Sequence, residues 1–447
     1  MDINQAGLQM AGSRALIVLG LLLGSLFYGA TAQAMQPIQH WQTANGARIY
    51  FVPAPELPIV DIGITFAAGS AYDGDQPGVA KLTSTLLDQG ANGLSADEIA
   101  IRVETLGAQL STGSARDMGY LTLRSLSDDA HLHPALEIFR DVLSKPDFNQ
   151  KDLERERENL LVAIRSGDQS PSTIAGYQFF YASFGDHPYA ARPVGTVEGL
   201  KKLGPKDLRA YYDKYYVARN AVVSIVGNLD RKAAAKMAEK LLSGLPGGQR
   251  ASPVPTVPLL EKASEKRIFH PSSQTHVRMG APAIRRGDPD YFPLYLGNHI
   301  LGGSGMVSRL FKEVREDRGL SYGVSSYLSP MEQAGPYLFS LQTKNTQVDE
   351  ALAVLRETVQ KFIDKGPTEA EIVSSKKNIT GGFPLRIESN SKIREHVNMI
   401  AFYGFPLDYL DTFNDKVMAV TREQIMDAFH RRVFPDRMAT IIVGGES

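Results

Sequence analysis

Two stretches far apart in this chain have the same form. RNAVVSIVGNLD (219–230) and RMATIIVGGES (437–447) are apolar, β-branched strands that reach Val-Gly near their ends. Just upstream, GPKDLRAYYDKYY (204–216) parallels TREQIMDAFHRRV (421–433), each opening like a capped helix with apolar positions at helical spacing. Both pairs share one offset of about 217 residues. Further upstream PALEIFRDVLSKPDF answers DEALAVLRETVQKFI, with Ala135, Leu136 and Arg140 against Ala351, Leu352 and Arg356, and DLERERENLLVAI answers EIVSSKKNITGGF. A unit of about 200 residues is too long for a solenoid repeat, so the chain is expected to hold two homologous domains.

Between the halves, LPGGQRASPVPTVPLLEKASEK (245–266) is rich in Pro and Gly and poor in periodicity, which reads as a linker. The expected domains are 35–248 and 268–447, joined by 249–267. Alternating strands such as VDIGITFAAG (60–69) and GYLTLRSL (119–126) stand beside long amphipathic helices, so the fold class is α+β, a pair of layered α/β sandwiches.

Before the repeat comes a different kind of sequence. Arg14, an apolar run from about Ala15 to Tyr28 and AQA at 32–34 have the order of a secretory signal, with cleavage expected after Ala34 (signal peptide 1–34). The run falls short of the roughly 20 apolar residues that span a bilayer, which weighs against the alternative of a retained anchor. The mature chain is expected in the periplasm, with no stable membrane insertion. It has no cysteine, hence no disulfide and no thiolate metal site. A net charge of −1 at pH 7 and the lack of a basic stripe argue against a nucleic-acid partner.

Three stretches, GSAYDGDQPGVAKLTSTLLDQGA, SFGDHPYAARPVGTVEGLKKLGPKDLRAYYDKYYVARNAVVSIVGNLD and LGNHILGGSGMVSRLFKEVREDRGLSYGVSSYL, resemble the pitrilysin or insulinase metallopeptidases, family M16. The resemblance covers nearly all of the mature chain. It implies two homologous domains, each a mostly antiparallel sheet packed by helices, in a subunit that pairs into a clam-like chamber. Active members carry His-x-x-Glu-His on the first helix, where two imidazoles at i and i+4 bind zinc and the Glu activates water. Those places fall here on Lys81, Ser84 and Thr85, and a later glutamate ligand falls on Ala163. Lys81 is a cation, Thr85 a weak hard ligand and Ala163 no ligand at all. The resemblance therefore implies no zinc in this chain and zinc in a homologous partner subunit. His131, His133 and Glu137 read as a polar helix start, and His187 as a turn contact; neither makes a replacement site.

In VREDRGLSYGV, Arg315 and Tyr322 stand seven apart, with Gly319 placed to stop a helix running from about Met306 to Arg318. From spacing alone the pair is an Arg capping its own helix and a Tyr on a strand face. In the family, an Arg and a Tyr at this spacing help hold substrate at the zinc site across the chamber. Their donors suit a carbonyl that gains negative charge under attack by water. LGGSGM, with Gly302, Gly303, Ser304 and Gly305, resembles the family's flexible loop at the chamber mouth, or is a plain turn. AQLSTGSAR, with Leu110, Ser111, Thr112 and Gly113, matches the edge strand on which the family lays its peptide, or is an ordinary edge. The resemblance thus implies the non-zinc-binding subunit of a periplasmic heterodimeric zinc peptidase that takes unfolded peptides. The alternatives are an architectural subunit, like the family's respiratory-complex core proteins, and a module that holds peptides without cutting them.

Overall fold

The structure is a computed structural model that describes residues 36–445; the expected signal and its cut after Ala34 lie outside the described residues. β1 (Gln39–Gln42), β2 (Arg48–Pro53) and β3 (Ile59–Phe66) open the first half. β4 (Gly90–Ala91) and β5 (Leu94–Ser95) pair as a small separate hairpin. β6 (Gln109–Ser114), β7 (Gly119–Leu126) and β8 (Ala221–Gly227) complete a six-stranded sheet in the order β1-β2-β8-β3-β7-β6. The second half contributes β9 (Ser264–Ile268), β10 (Ser272–Ile284), β11 (Gly323–Leu328), β12 (Gly335–Lys344) and β13 (Ala439–Gly445), ordered β11-β12-β10-β13-β9. Each sheet is antiparallel except for one pair, β2 with β8 and β9 with β13. Read from those parallel pairs, β2-β8-β3-β7-β6 matches β9-β13-β10-β12-β11. The repeat in the sequence is a repeat of topology.

Alternation explains which face of each strand is buried. In β3, Ile62, Ile64 and Phe66 enter the first core, while Asp61, Gly63 and Thr65 point to the opposite face. β8 shows no alternation because both of its faces are covered, and all of its residues are buried. One face carries the helices of the first half, among them Val79–Leu86, Asp129–Ser144, Gln150–Asp168 and Pro205–Tyr215. The other is covered by the helix Asn390–Tyr403, which belongs to the second half.

The exchange is reciprocal. The helix Pro171–Phe184 of the first half lies on β10 and β13, where Ala175 and Phe179 pack against Ile441 and Val443. Polar contacts fix both crossings. The Thr65 hydroxyl donates to Asn398 Oδ1 at 2.7 Å, and Arg278 Nη2 donates to Ser172 Oγ at 3.3 Å. The halves also meet at Asp117, which is 3 % exposed. It accepts from Tyr189 Oη at 2.6 Å, Tyr403 Oη at 2.9 Å and the Glu332 N–H at 2.9 Å. The cut at the linker divides the chain but not the packing, and residues from Ile38 onward form one unit.

The linker boundary differs in one respect. Residues 264–267, expected within it, begin strand β9. That strand is exposed along most of its length and is pinned by Arg356–Glu265 at 3.0 Å and by Arg267–Asp349. Charge holds it, so it lacks the apolar alternation that marks a strand in sequence.

Candidate functional site

Asp73 anchors the first helix, Val79–Leu86. Its carboxylate accepts from the Gly78 N–H at 2.7 Å and the Ala80 N–H at 3.0 Å. Burial pushes this carboxyl up to about 7, against the pull of those two N–H groups. Gly78 is at φ +96°, where a side chain would also strike Leu200, so the sharp entry requires glycine. Val79, Ala80, Leu82 and Leu86 enter the core, and the helix lies against β6 and the helix Gln150–Asp168. The frame is complete.

Its side chains are not those of a metal site. Lys81 and Thr85 are half-buried, and Ala163 is exposed on its helix beside buried Leu160, Leu161 and Ile164. Ser84 is buried and its hydroxyl donates to the Lys81 carbonyl at 2.9 Å. An ammonium, two hydroxyls and a methyl do not fit zinc, which takes imidazole, thiolate or carboxylate. No group of three or more His, Asp or Glu among the described residues could hold an ion. His131 lies 2.7 Å from Asp128 at a helix start, and His187 contacts the Pro255 carbonyl at 2.8 Å.

β6 is the outer strand of its sheet, beside this helix. Ser111 is exposed, Leu110 and Thr112 are half-buried, and Gly113 is buried where a Cβ would meet Tyr120 Oη at 2.6 Å. One edge of β6 therefore carries no sheet partner among the described residues.

Arg315 and Tyr322 lie in the second half beside β11, and the cleft that Arg315 lines includes none of the zinc-site positions. Arg315 sits in a π-helical segment, Phe311–Glu316. Gly319, at φ +63°, stops it by donating to the Arg315 carbonyl at 3.0 Å. The neighbouring arginines serve the fold. Arg318 Nη1 donates to the Glu313 carbonyl and carboxylate, both at 2.7 Å, and Arg309 makes two 2.6 Å bonds to Glu371. Arg315 instead stacks over Phe311 at 4.9 Å and lines an open cleft of about 310 Å³ with Ser172, His276, Arg278, Ser325 and Gln342. Tyr322, 50 % exposed, precedes β11, and its N–H donates to the Gln342 carbonyl at 2.9 Å. Both residues flank the start of β11, with no hydrogen bond between their side chains. Sequence reasoning missed Arg278, His276 and Ser172. Burial lowers the pKa of Arg278, and burial together with Arg278 and His270 lowers that of His276. For His276 and Arg278 the one signal was polar alternation along β10, while Ser172 comes from the separate helix Pro171–Phe184.

The glycine-rich stretch differs from a loop. Gly302 and Gly303 complete a π-helical turn, His299–Gly303. A Cβ on Gly302 would meet Ser326 Oγ at 2.5 Å, and one on Gly303 would meet Asn298 Nδ2 at 2.6 Å, so close packing explains both glycines. Ser304 forms a bend, and Gly305, at φ +65° in open space, starts a 3-10 turn that leaves Met306 76 % and Val307 82 % exposed.

Residues 49–192 match the family described as Insulinase (Peptidase family M16), and residues 202–379 match Peptidase M16 inactive domain. Among curated relatives, a Bacillus subtilis protein named uncharacterized zinc protease YmxG is 26 % identical over 91 % of this chain and 98 % of its own length. A Helicobacter pylori protein named non-peptidase homolog YmxG is 28 % identical over 91 % and 93 %. The crystal structure of a peptidase M16 inactive domain from Pseudomonas fluorescens superposes with a TM-score of 0.89 at 35 % identity, covering 92 % of this chain and 98 % of that one. A likeness of that extent establishes descent: this chain belongs to peptidase family M16, as an inactive-type member that keeps the family's frame without a zinc ligand set.

Proposed function

We propose that this chain is the non-zinc-binding subunit of a periplasmic, heterodimeric M16 zinc peptidase. A homologous partner carries His-x-x-Glu-His and the metal, and this chain supplies Arg315 and Tyr322 to the partner's site. The reading is carried by the contrast among three neighbouring arginines: Arg309 and Arg318 are ion-paired within the fold, while Arg315 opens into a cleft without a carboxylate. A guanidinium and a phenol held free in this way are suited to a substrate carbonyl or its oxyanion. Unfolded peptides are the substrate class, and β6 offers the free edge along which an extended chain adds.

The purified chain is expected to hydrolyse nothing alone, with activity appearing on mixing with the His-x-x-Glu-His subunit that co-purifies with it. Arg315→Ala or Tyr322→Phe then lowers kcat of the pair by about 10²–10³, the usual cost of one oxyanion donor. Unchanged turnover in both variants would assign these residues to structure. A second reading, peptide capture without cleavage, draws on the same free edge of β6. Calorimetric binding of an unstructured peptide to the isolated chain, with no activity on mixing, would favour it.

A further inference from the structure

Where the two halves meet the linker, a cleft of about 340 Å³ is lined by four arginines, Arg48, Arg250, Arg285 and Arg286, against one carboxylate, Glu332. The arginines come from three separate places. Arg48 opens β2, Arg250 lies on the linker, and Arg285 and Arg286 follow the end of β10. Among the described residues none of the four is ion-paired to a carboxylate. Glu332 is already engaged, accepting from Tyr72 Oη and from the Val254 N–H, each at 3.3 Å.

Two of the guanidiniums are incompletely satisfied. Arg48 Nε and Arg286 Nε are buried and have no acceptor among the described residues. Arg286 stacks 5.3 Å above the Tyr403 ring, which leaves its in-plane donors free. Like charges gathered in a partly buried space repel one another, and a buried N–H without an acceptor is costly. Both penalties are removed by one kind of occupant, because the guanidinium fork matches the paired oxygens of phosphate or carboxylate. The volume lies near the lower end of the roughly 300–1,000 Å³ typical of small-molecule sites.

We propose that this cleft binds a small oxyanion ligand with two or more negative charges, of the pyrophosphate or dicarboxylate class. Because its arginines come from the first sheet, the linker and the second half, the ligand clamps the halves together. The site is independent of any role for Arg315 and Tyr322.

The test titrates the full chain with inorganic pyrophosphate and, separately, with succinate, at fixed ionic strength. Thermal unfolding and calorimetric heat are both followed. A ligand at about 100 times its Kd is expected to raise Tm saturably by roughly 3 °C. Arg286→Gln and Arg250→Gln each weaken binding at least about tenfold, as expected for loss of one charge-assisted contact. Arg250 is exposed, so its substitution leaves the Tm of the unliganded chain unchanged and separates binding from folding. A response to pyrophosphate alone assigns the site to phosphates, and a response to succinate alone or to both assigns it to carboxylates or to paired oxyanions in general. No saturable response to either ligand, or an equal response in the variants, overturns the proposal.

Discussion

Glu371 accepts from both Nε and Nη2 of Arg309 at 2.6 Å and from the Thr368 N–H at 2.7 Å. Burial opposes its ionisation, but the Arg309 and Thr368 hydrogen bonds outweigh it and hold the carboxyl at about 2. A carboxyl lowered from 4.5 adds stability above that value and loses it as pH falls through about 2. Urea unfolding at pH 5 and pH 3 should therefore show the wild type losing more stability than Glu371→Gln. With the side chain 31 % exposed, the difference over the full window is on the order of 1–2 kcal/mol. Equal losses would remove the ion pair from the account. Arg309 and Arg315 share one short sequence, VSRLFKEVRE, and nothing in it says which is bound and which is free. The difference comes from Glu371, sixty-two positions beyond Arg309.

At the scale of elements, the exchanged helices decide how the halves cohere. Phe179 is fully buried, and on the helix Pro171–Phe184 it joins Ala175 against Ile441 and Val443. Phe179→Ala is expected to cost about 3–5 kcal/mol, read as a lower urea midpoint. A cost below about 1 kcal/mol would mean that this crossing contributes little. Most helices and strands were legible, because capping residues and apolar periods are local; β9, held by charge, was not. Thr421 caps its helix in a box with Gln424, as the sequence TREQ suggests. The exchange was not legible, since equivalent helices carry the same pattern whichever sheet they cover. One hint existed: TIAGYQFFYASF is apolar or small nearly all round, which suits a helix packed on more than one side. The four-arginine cleft was hidden for a related reason, its residues being brought together only by the fold from 48, 250, 285 and 286.

For the whole molecule, the two halves behave as one folding unit joined by exchanged helices and by Asp117. Residues 36–248 expressed alone would leave the outer face of the first sheet, normally under Asn390–Tyr403, open to water. That fragment is expected to aggregate or stay unfolded, whereas the full chain unfolds in a single transition by circular dichroism. A soluble, cooperatively folding fragment would contradict this. The same frame holds at its first helix a catalytic scaffold whose Lys81, Ser84, Thr85 and Ala163 are unable to bind a hydrolytic ion. Elemental analysis of the purified chain after dialysis against zinc measures whether any ion is held. No stoichiometric zinc and no proteolysis are expected; one tightly held zinc per chain, with peptide cleavage that a chelator abolishes, would show a working metal site instead.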